Sequence, residues 1–305
     1  MEKMTLKQLR YFEALAQHGH FGRAADVAGI SQPALSVQIK ELETTLGVPL
    51  FERSPGQVRL TPFGEQFGER ARDILSAVAD LTNLARSAQD AFVGRLRIGV
   101  IPTVAPYLLP AVFGALRRSY PGLDVQVRET LTPTLIEELG AGRIDTAIVA
   151  LPVDDDWLTV APLFEEDIML VRPISEAGTP VPDAQSLRQM PLLLLEEGHC
   201  FRDQALNFCD ISPQGRRERL EGSSLSTLVQ MVAAGIGVTL IPQMAVRVEA
   251  GAAAVAIDAF PSPQPGRSLA MVWRRSNPLA RQLTEVADVV RRAGQSGRSV
   301  SPAPE

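Results

Sequence analysis

The sequence predicts an α/β protein in three parts: a small helical head with a two-stranded wing (a winged helix-turn-helix), one long linker helix, and a two-lobed α/β regulatory domain. Three observations carry this reading. The first sixty residues hold short apolar stripes at helical spacing, and residues 67–88 continue an unbroken alternation of four and three. From Arg95 onward, apolar runs of strand length alternate with helical stretches. The chain has 305 residues, 45% of them hydrophobic and 21% charged, which suits two to three folded units with real cores.

Composition narrows the function. Residues 1–10 carry charges and no apolar block, and no run reaches the eighteen or so apolar residues of a membrane helix. The expected place is therefore the cytoplasm, with no membrane partner. A net charge of -5 excludes a polycation, while residues 1–61 hold seven Lys/Arg against six Asp/Glu. That balance permits a DNA-binding head without demonstrating one. Two cysteines are too few for a zinc site built by one chain, and a reducing compartment disfavours a structural bridge. There is no glycine-rich phosphate loop and no Ser/His/Asp set, so neither a metal, a cofactor nor a turnover enzyme is expected.

The head spans residues 1–61. Leu6, Leu9, Phe12 and Ala16 mark a first helix, and residues 21–28 a second that ends at Gly29. Ser31 offers an N-cap and Pro33 sits in the first turn of a third helix. There Leu35, Ile39, Leu42 and Leu46 line one face, while Gln32, Ser36 and Lys40 line another. A helix with such a polar outer face after a tight turn can enter the major groove, Gln and Ser meeting bases and Lys40 phosphate. By spacing alone, a solvated amphipathic helix fits equally. A hairpin of residues 48–52 and 58–60 then supplies a wing with Arg53 placed for backbone phosphate, which favours DNA.

Residues 62–90 form the linker. Thr61-Pro62 opens a helix along which Phe67, Ala71, Ile74, Val78, Leu81, Ala85 and Ala88 make a heptad seam. This predicts a dimer, with a helix lying on its own domain as the alternative; residues 91–94 are a hinge. The regulatory domain covers 95–293. Strands at 96–101, 124–129 and 145–150 alternate with helices at 105–119 and 132–139, which predicts a parallel sheet covered on both faces. A second set follows at 167–171, 191–195, 225–234 and 238–241. Residues 269–274 and a helix over 278–292 return the chain to the first lobe, and 294–305 reads as a disordered tail. Ligands of open α/β sheets sit beyond the carboxyl ends of the strands, so Pro102-Thr103, Thr132 and the segment after Leu195 should converge.

That last segment holds both cysteines. It turns at Gly198, and Phe201, Ala205, Phe208 and Cys209 then fall at helical spacing, so a short helix should start near His199. Cys200 lies at its positive end, where the helix terminus and the candidate cations His199 and Arg202 favour thiolate. Cys209 falls on the apolar face, where an inert buried thiol is the ordinary expectation. Nine helical residues separate the two by about 13 Å along the axis, whereas a disulfide needs Cα atoms within about 7 Å. Any bond between them requires the helix to unwind.

Residues 21–26, 30–43 and 46–53 (Leu46-Gly-Val-Pro-Leu-Phe-Glu-Arg in the last) resemble the winged head of LysR-type regulators, whose sensors share the two-lobed design of periplasmic binding proteins. The resemblance implies binding to double-stranded DNA at promoter dyad half-sites, with Gln32, Pro33 and Ser36 near bases and Arg53 near phosphate. The segment Gly198-His-Cys-Phe-Arg-Asp-Gln-Ala-Leu-Asn-Phe-Cys209 is similar to the redox segment of the hydrogen-peroxide-responsive members of that family. Residues 101–110 and 223–237 are similar too, and the likeness runs from near residue 4 to near residue 292. It implies a peroxidatic Cys200, a resolving Cys209 and a reversible disulfide. Thr103, Thr132, His199 and Arg267 would surround bound peroxide, with Arg202 and Asp203 behind them. It further implies activation of antioxidant genes, homodimers assembling to homotetramers, contact with RNA polymerase and re-reduction by cellular thiols. One departure is Arg219, where histidine is expected. The competing reading is a LysR-type regulator that binds a small carboxylate, both cysteines inert.

Overall fold

A computed structural model describes residues 4–54, 57–87, 93–153, 155–209 and 220–298. They form two compact units, the first of residues up to Ala85 with Ala141–Arg143 and the second of the remainder. In the first, Thr5 and Gln8 make a reciprocal capping box at the start of α1 (Leu6–His18). The His20 ring accepts from the Gly22 N–H at 3.0 Å and so caps α2 (Phe21–Ala28). Ser31 caps α3 (Gln32–Leu46), with Pro33 in its first turn. Leu9, Phe12, Leu15, Leu35, Ile39 and Leu42 close the core between them.

The wing pairs β1 (Phe51–Ser54) antiparallel with β2 (Gln57–Leu60). It begins three residues later than the apolar run predicts. The Glu43 carboxylate accepts the N–H groups of Leu50 and Phe51, at 2.8 and 3.2 Å, so the chain before Phe51 is pinned to α3 rather than paired in the ladder. The side chain of Arg53 lies outside the described ones.

The linker helix α4 (Pro62–Ser87) divides the heptad stripe. Phe67 packs edge-on against Phe12, with ring centroids 4.9 Å apart, and Ala71 is buried in the head's own core. At the N-terminal end of the expected seam, Phe67 and Ala71 thus contribute to the head's own core. Val78 is half-buried, while Ile74 and Leu81 remain exposed. Ala88 lies outside the described residues.

The second unit starts with β3 (Gly94–Val100), α5 (Ala105–Ser119), β4 (Leu123–Glu129), α6 (Thr132–Gly140) and β5 (Thr146–Ala150). These strands pair in parallel, in the order β4-β3-β5. The 16-residue β6 (Leu158–Pro173) then carries the chain into a second lobe. That lobe holds α7 (Ala184–Leu187), β7 (Leu192–Leu195), α8 (Cys200–Phe208), β8 (Glu221–Gly222), α9 (Leu225–Ala233), β9 (Val238–Pro242), α10 (Val246–Glu249) and β10 (Val255–Ala259). β11 (Gly266–Arg274) and α11 (Ala280–Arg298) return to the first.

The sheet is mixed, not parallel as strand–helix alternation predicts. β11, by which the chain returns, lies between β5 and β6 and runs antiparallel to both. Residues 294–298, expected to belong to a tail, are helical. α11 continues to Arg298, and Gly294 packs so tightly on Phe164 that a Cβ there would lie 2.1 Å from its ring; residues 299–305 lie outside the described ones.

Each lobe has its own core, one around Ile98, Ile148 and Met271, the other around Leu193, Leu206 and Leu240. A polar node centred on the buried Glu249 helps to join them. Glu249 on α10 accepts from Tyr107 Oη of α5 at 2.7 Å and from Ser226 Oγ of α9 at 2.8 Å. Burial, then the Glu249 hydrogen bond and charge, push the Tyr107 phenol well above its ordinary value, so it is a permanent donor. Tyr107→Phe leaves a buried carboxylate one donor short, which should cost on the order of 1–3 kcal/mol. Both tryptophans, Trp157 and Trp273, lie in this unit, so fluorescence-monitored urea unfolding reads the loss directly.

Candidate functional site

Three strand ends build the site. The loop after β3 supplies Ile101, Pro102 and Thr103; the start of α6 supplies Leu131 and Thr132; the turn after β7 supplies Gly198, His199 and Cys200. Together they wall a narrow, closely packed slot. Gly198 is required for the closeness of this packing. Its φ is +93°, and a Cβ there would meet Leu131 Cδ1 at 2.9 Å.

The polar groups of the slot differ in what they offer. Thr132 Oγ1 is buried and has no hydrogen-bond partner. Thr103, 2% exposed, accepts from Arg267 Nη1 at 2.8 Å. His199 is 8% exposed. Burial lowers its pKa against a smaller opposing pull from Glu196, so near neutral pH the ring is uncharged, with one donor and one acceptor nitrogen. Desolvation therefore overturns the expectation of a cationic His199 beside the thiol.

Arg202 does not serve the thiol either. Its Nη1 donates to the Leu195 carbonyl at 2.7 Å and to Glu221 at 2.6 Å, on the inner side of α8. Asp203 is exposed on that helix. What remains beside Cys200 is the N-terminal end of α8, of which it is the first residue and His199 the N-cap.

Arg267 stands behind Thr103 rather than in the slot. Its Nη2 also donates to the Thr103 carbonyl at 3.1 Å, and its guanidinium lies over the Phe201 ring, 5.1 Å from the centroid. Glu166, which the sequence reading did not single out, holds it through Nε at 2.7 Å and Nη2 at 2.6 Å, both side chains being 0% exposed. A charged residue in alternation with the apolar Phe164, Ile168 and Leu170 was the signal available for it.

Both cysteines are free thiols. Cys200 is partly buried against the first lobe's core, whereas Cys209, the C-cap of α8, is wholly buried in the second's. Phe201, Ala205 and Leu228 pack closely beneath α8, leaving a gap of only about 10 Å³ between them. Arg219 lies outside the described residues. Among the described residues there is no His/Cys/Asp/Glu cluster able to hold a metal, and no helix is long and apolar enough to cross a membrane.

In the head, Gln32, Pro33 and Lys40 are exposed and Ser36 half-exposed, away from the buried stripe of α3.

Residues 6–65 match the bacterial regulatory helix-turn-helix protein, lysR family, and residues 89–295 match the LysR substrate binding domain. The chain belongs to the LysR family. Within that family it is of the OxyR type. It is 43% identical over 293 residues to a probable hydrogen peroxide-inducible genes activator of Streptomyces viridosporus, covering 95% of this chain and 94% of the other. Full-length Pseudomonas aeruginosa OxyR, with a cysteine replaced by aspartate, superposes with a TM-score of 0.74 at 37% identity, covering 95% and 96% of the two chains. A hydrogen-peroxide-bound cysteine-to-serine mutant of Corynebacterium glutamicum OxyR gives 0.66 at 36%, covering 97% and 94%.

The neutral His199 has a measurable consequence in this LysR-type sensor. A base whose folded pKa is depressed contributes stability that is complete above its unfolded value, about 6.5, and lost as pH falls from there towards the folded pKa. His199 is the only histidine of the second unit. His199→Asn should flatten the decline in stability between pH 7.5 and 5.5, read by tryptophan fluorescence; an unchanged slope would mean that the ring is solvated.

Proposed function

We propose that this protein is a hydrogen-peroxide-sensing, DNA-binding transcriptional activator switched by a reversible disulfide between Cys200 and Cys209. The observation that carries this reading is the slot itself: a thiol at a helix start faces the orphaned Thr132 hydroxyl, with Thr103 and His199 as further hydrogen-bonding groups. A small carboxylate fits less well, because the slot is tight and its one titratable base is neutral.

The Cys200 thiolate attacks one peroxide oxygen. An S–O bond forms, the O–O bond breaks, and the other oxygen leaves as hydroxide that takes a proton to become water. Thr103, Thr132 and His199 bind the two oxygens and meet the charge that develops on the departing one. The sulfenic acid on Cys200 then condenses with the Cys209 thiol, forming the S–S bond and releasing a second water. Nine residues of helix hold the partners about 13 Å apart, so α8 unwinds to bring them together and Cys209 leaves its core. Cellular thiols reverse the bond by exchange.

The rebuilt second lobe changes how sensors pair, and with it the spacing of recognition helices. Copies join through the exposed stripe of α4 at Ile74 and Leu81, and pairs assemble to tetramers. On promoter half-sites, Gln32, Pro33 and Ser36 face bases while Lys40 and Arg53 meet phosphate, and the oxidised form engages RNA polymerase.

Titration of the reduced protein with hydrogen peroxide, following free thiols and DNA footprint together, tests the whole reading. Both should change near stoichiometric peroxide. Cys200→Ser should abolish both responses, and Cys209→Ser should keep the first oxidation but lose the footprint change. Wild-type thiols that persist at near-stoichiometric peroxide would overturn it.

A further inference from the structure

We infer that Glu166 is a positioning residue for peroxide reduction, acting through Arg267 to aim the Thr103 hydroxyl proton into the slot. The inference rests on the peroxide-sensing reading above and goes one layer behind it.

A hydroxyl has one proton and two lone pairs, and left alone it could either donate to peroxide or accept from it. Here the choice is made by its neighbour. Arg267 Nη1 donates to Thr103 Oγ1 at 2.8 Å, and a guanidinium has no acceptor to offer in return. Among the described residues no acceptor takes the Thr103 proton, and the open direction is the slot that Thr103 lines. Thr103 is thereby fixed as a donor, its O–H polarised by a cation on the other side.

Arg267 can play this part only if its plane is held. Glu166 faces it directly across the β6–β11 ladder, and its Oε1 accepts both Nε and Nη2, at 2.7 and 2.6 Å. Its Oε2 accepts the Met244 N–H at 3.2 Å. Donors on both sides require a group that accepts at both oxygens. Glutamine, equal in size, would turn an NH₂ against either Arg267 or the Met244 amide.

The step that benefits is the breaking of the peroxide bond. As sulfur bonds to one oxygen, the O–O electron pair leaves with the other, sulfur is oxidised to sulfenic acid and peroxide is reduced to water. A preorganised donor at the departing oxygen lowers that barrier. Addition of the same thiolate to N-ethylmaleimide releases no oxygen and gains nothing from it.

The test uses full-length protein in a Cys209→Ser background, so that only the first oxidation is read. Glu166→Gln should slow peroxide oxidation of Cys200 by about 10- to 100-fold, while its rate with N-ethylmaleimide changes less than about twofold. Thr103→Val should slow peroxide oxidation similarly, and adding Glu166→Gln to it should change nothing further. Should Glu166→Gln fail to fold, the paired variant Glu166→Leu/Arg267→Met removes both charges together and should match Thr103→Val.

A parent protein unreactive to peroxide would sink the sensing reading itself. A reactive parent whose Glu166 variants keep its rate would overturn this inference alone. So would multiplying effects in the double variant, or equal slowing with maleimide, which would mark Glu166 as merely structural.

Discussion

Two buried charges at the place where the chain crosses between lobes organise the sensor. Arg267 and Glu166 sit opposite each other on β11 and β6, the strands that carry the chain out of the first lobe and back. Neither charge has access to water, so each is tolerable only because of the other; losing one partner typically costs about 3–5 kcal/mol. From this pair the hydrogen bonds fan outward. Arg267 grips both the hydroxyl and the carbonyl of Thr103 and stacks on Phe201, while Glu166 takes the Met244 amide just before α10. A strand-end loop, the cysteine-bearing helix and the far lobe are thus tied to one fixed point.

That arrangement explains how a small event at Cys200 can have a large mechanical result. Phe201 and Arg202 follow the thiol directly, one beneath Arg267 and the other on Glu221 and the Leu195 carbonyl. A helix that unwinds to join Cys200 with Cys209 must release both contacts and draw a wholly buried residue from the second core. Interiors packed in this way are bistable rather than gradually deformable, so the response is a change of state.

Much of this was legible in the sequence, and the failures have physical causes. Caps, prolines and apolar spacing located α1 to α4, because these are local signals that tertiary packing rarely overrides. The convergence of Thr103, Thr132 and Cys200 followed from strand ends alone. Strand direction did not, since β11 has the same apolar run whether it pairs parallel or antiparallel. The heptad stripe could not reveal that Phe67 and Ala71 face Phe12 and the head, because burial against one's own domain and against a partner look alike in periodicity. The charge of His199 depended on desolvation, and the importance of Glu166 on a partner 101 residues away.

On the proposed switch, the placement of Cys209 sets the chemical threshold of the sensor. Because the thiol is part of the second core in the reduced form, the packing of that core enters the midpoint potential of the couple. For a two-electron pair, each ~1.4 kcal/mol by which the reduced packing outweighs the oxidised one makes the disulfide easier to reduce by about 30 mV. Changing the fit of that core, which Ala205, Leu206 and Leu228 share with Cys209, would move the potential without touching either sulfur. Sensitivity to oxidant is in this sense encoded in aliphatic side chains, and related proteins could be set for different redox environments by substitutions that never approach the reacting atoms.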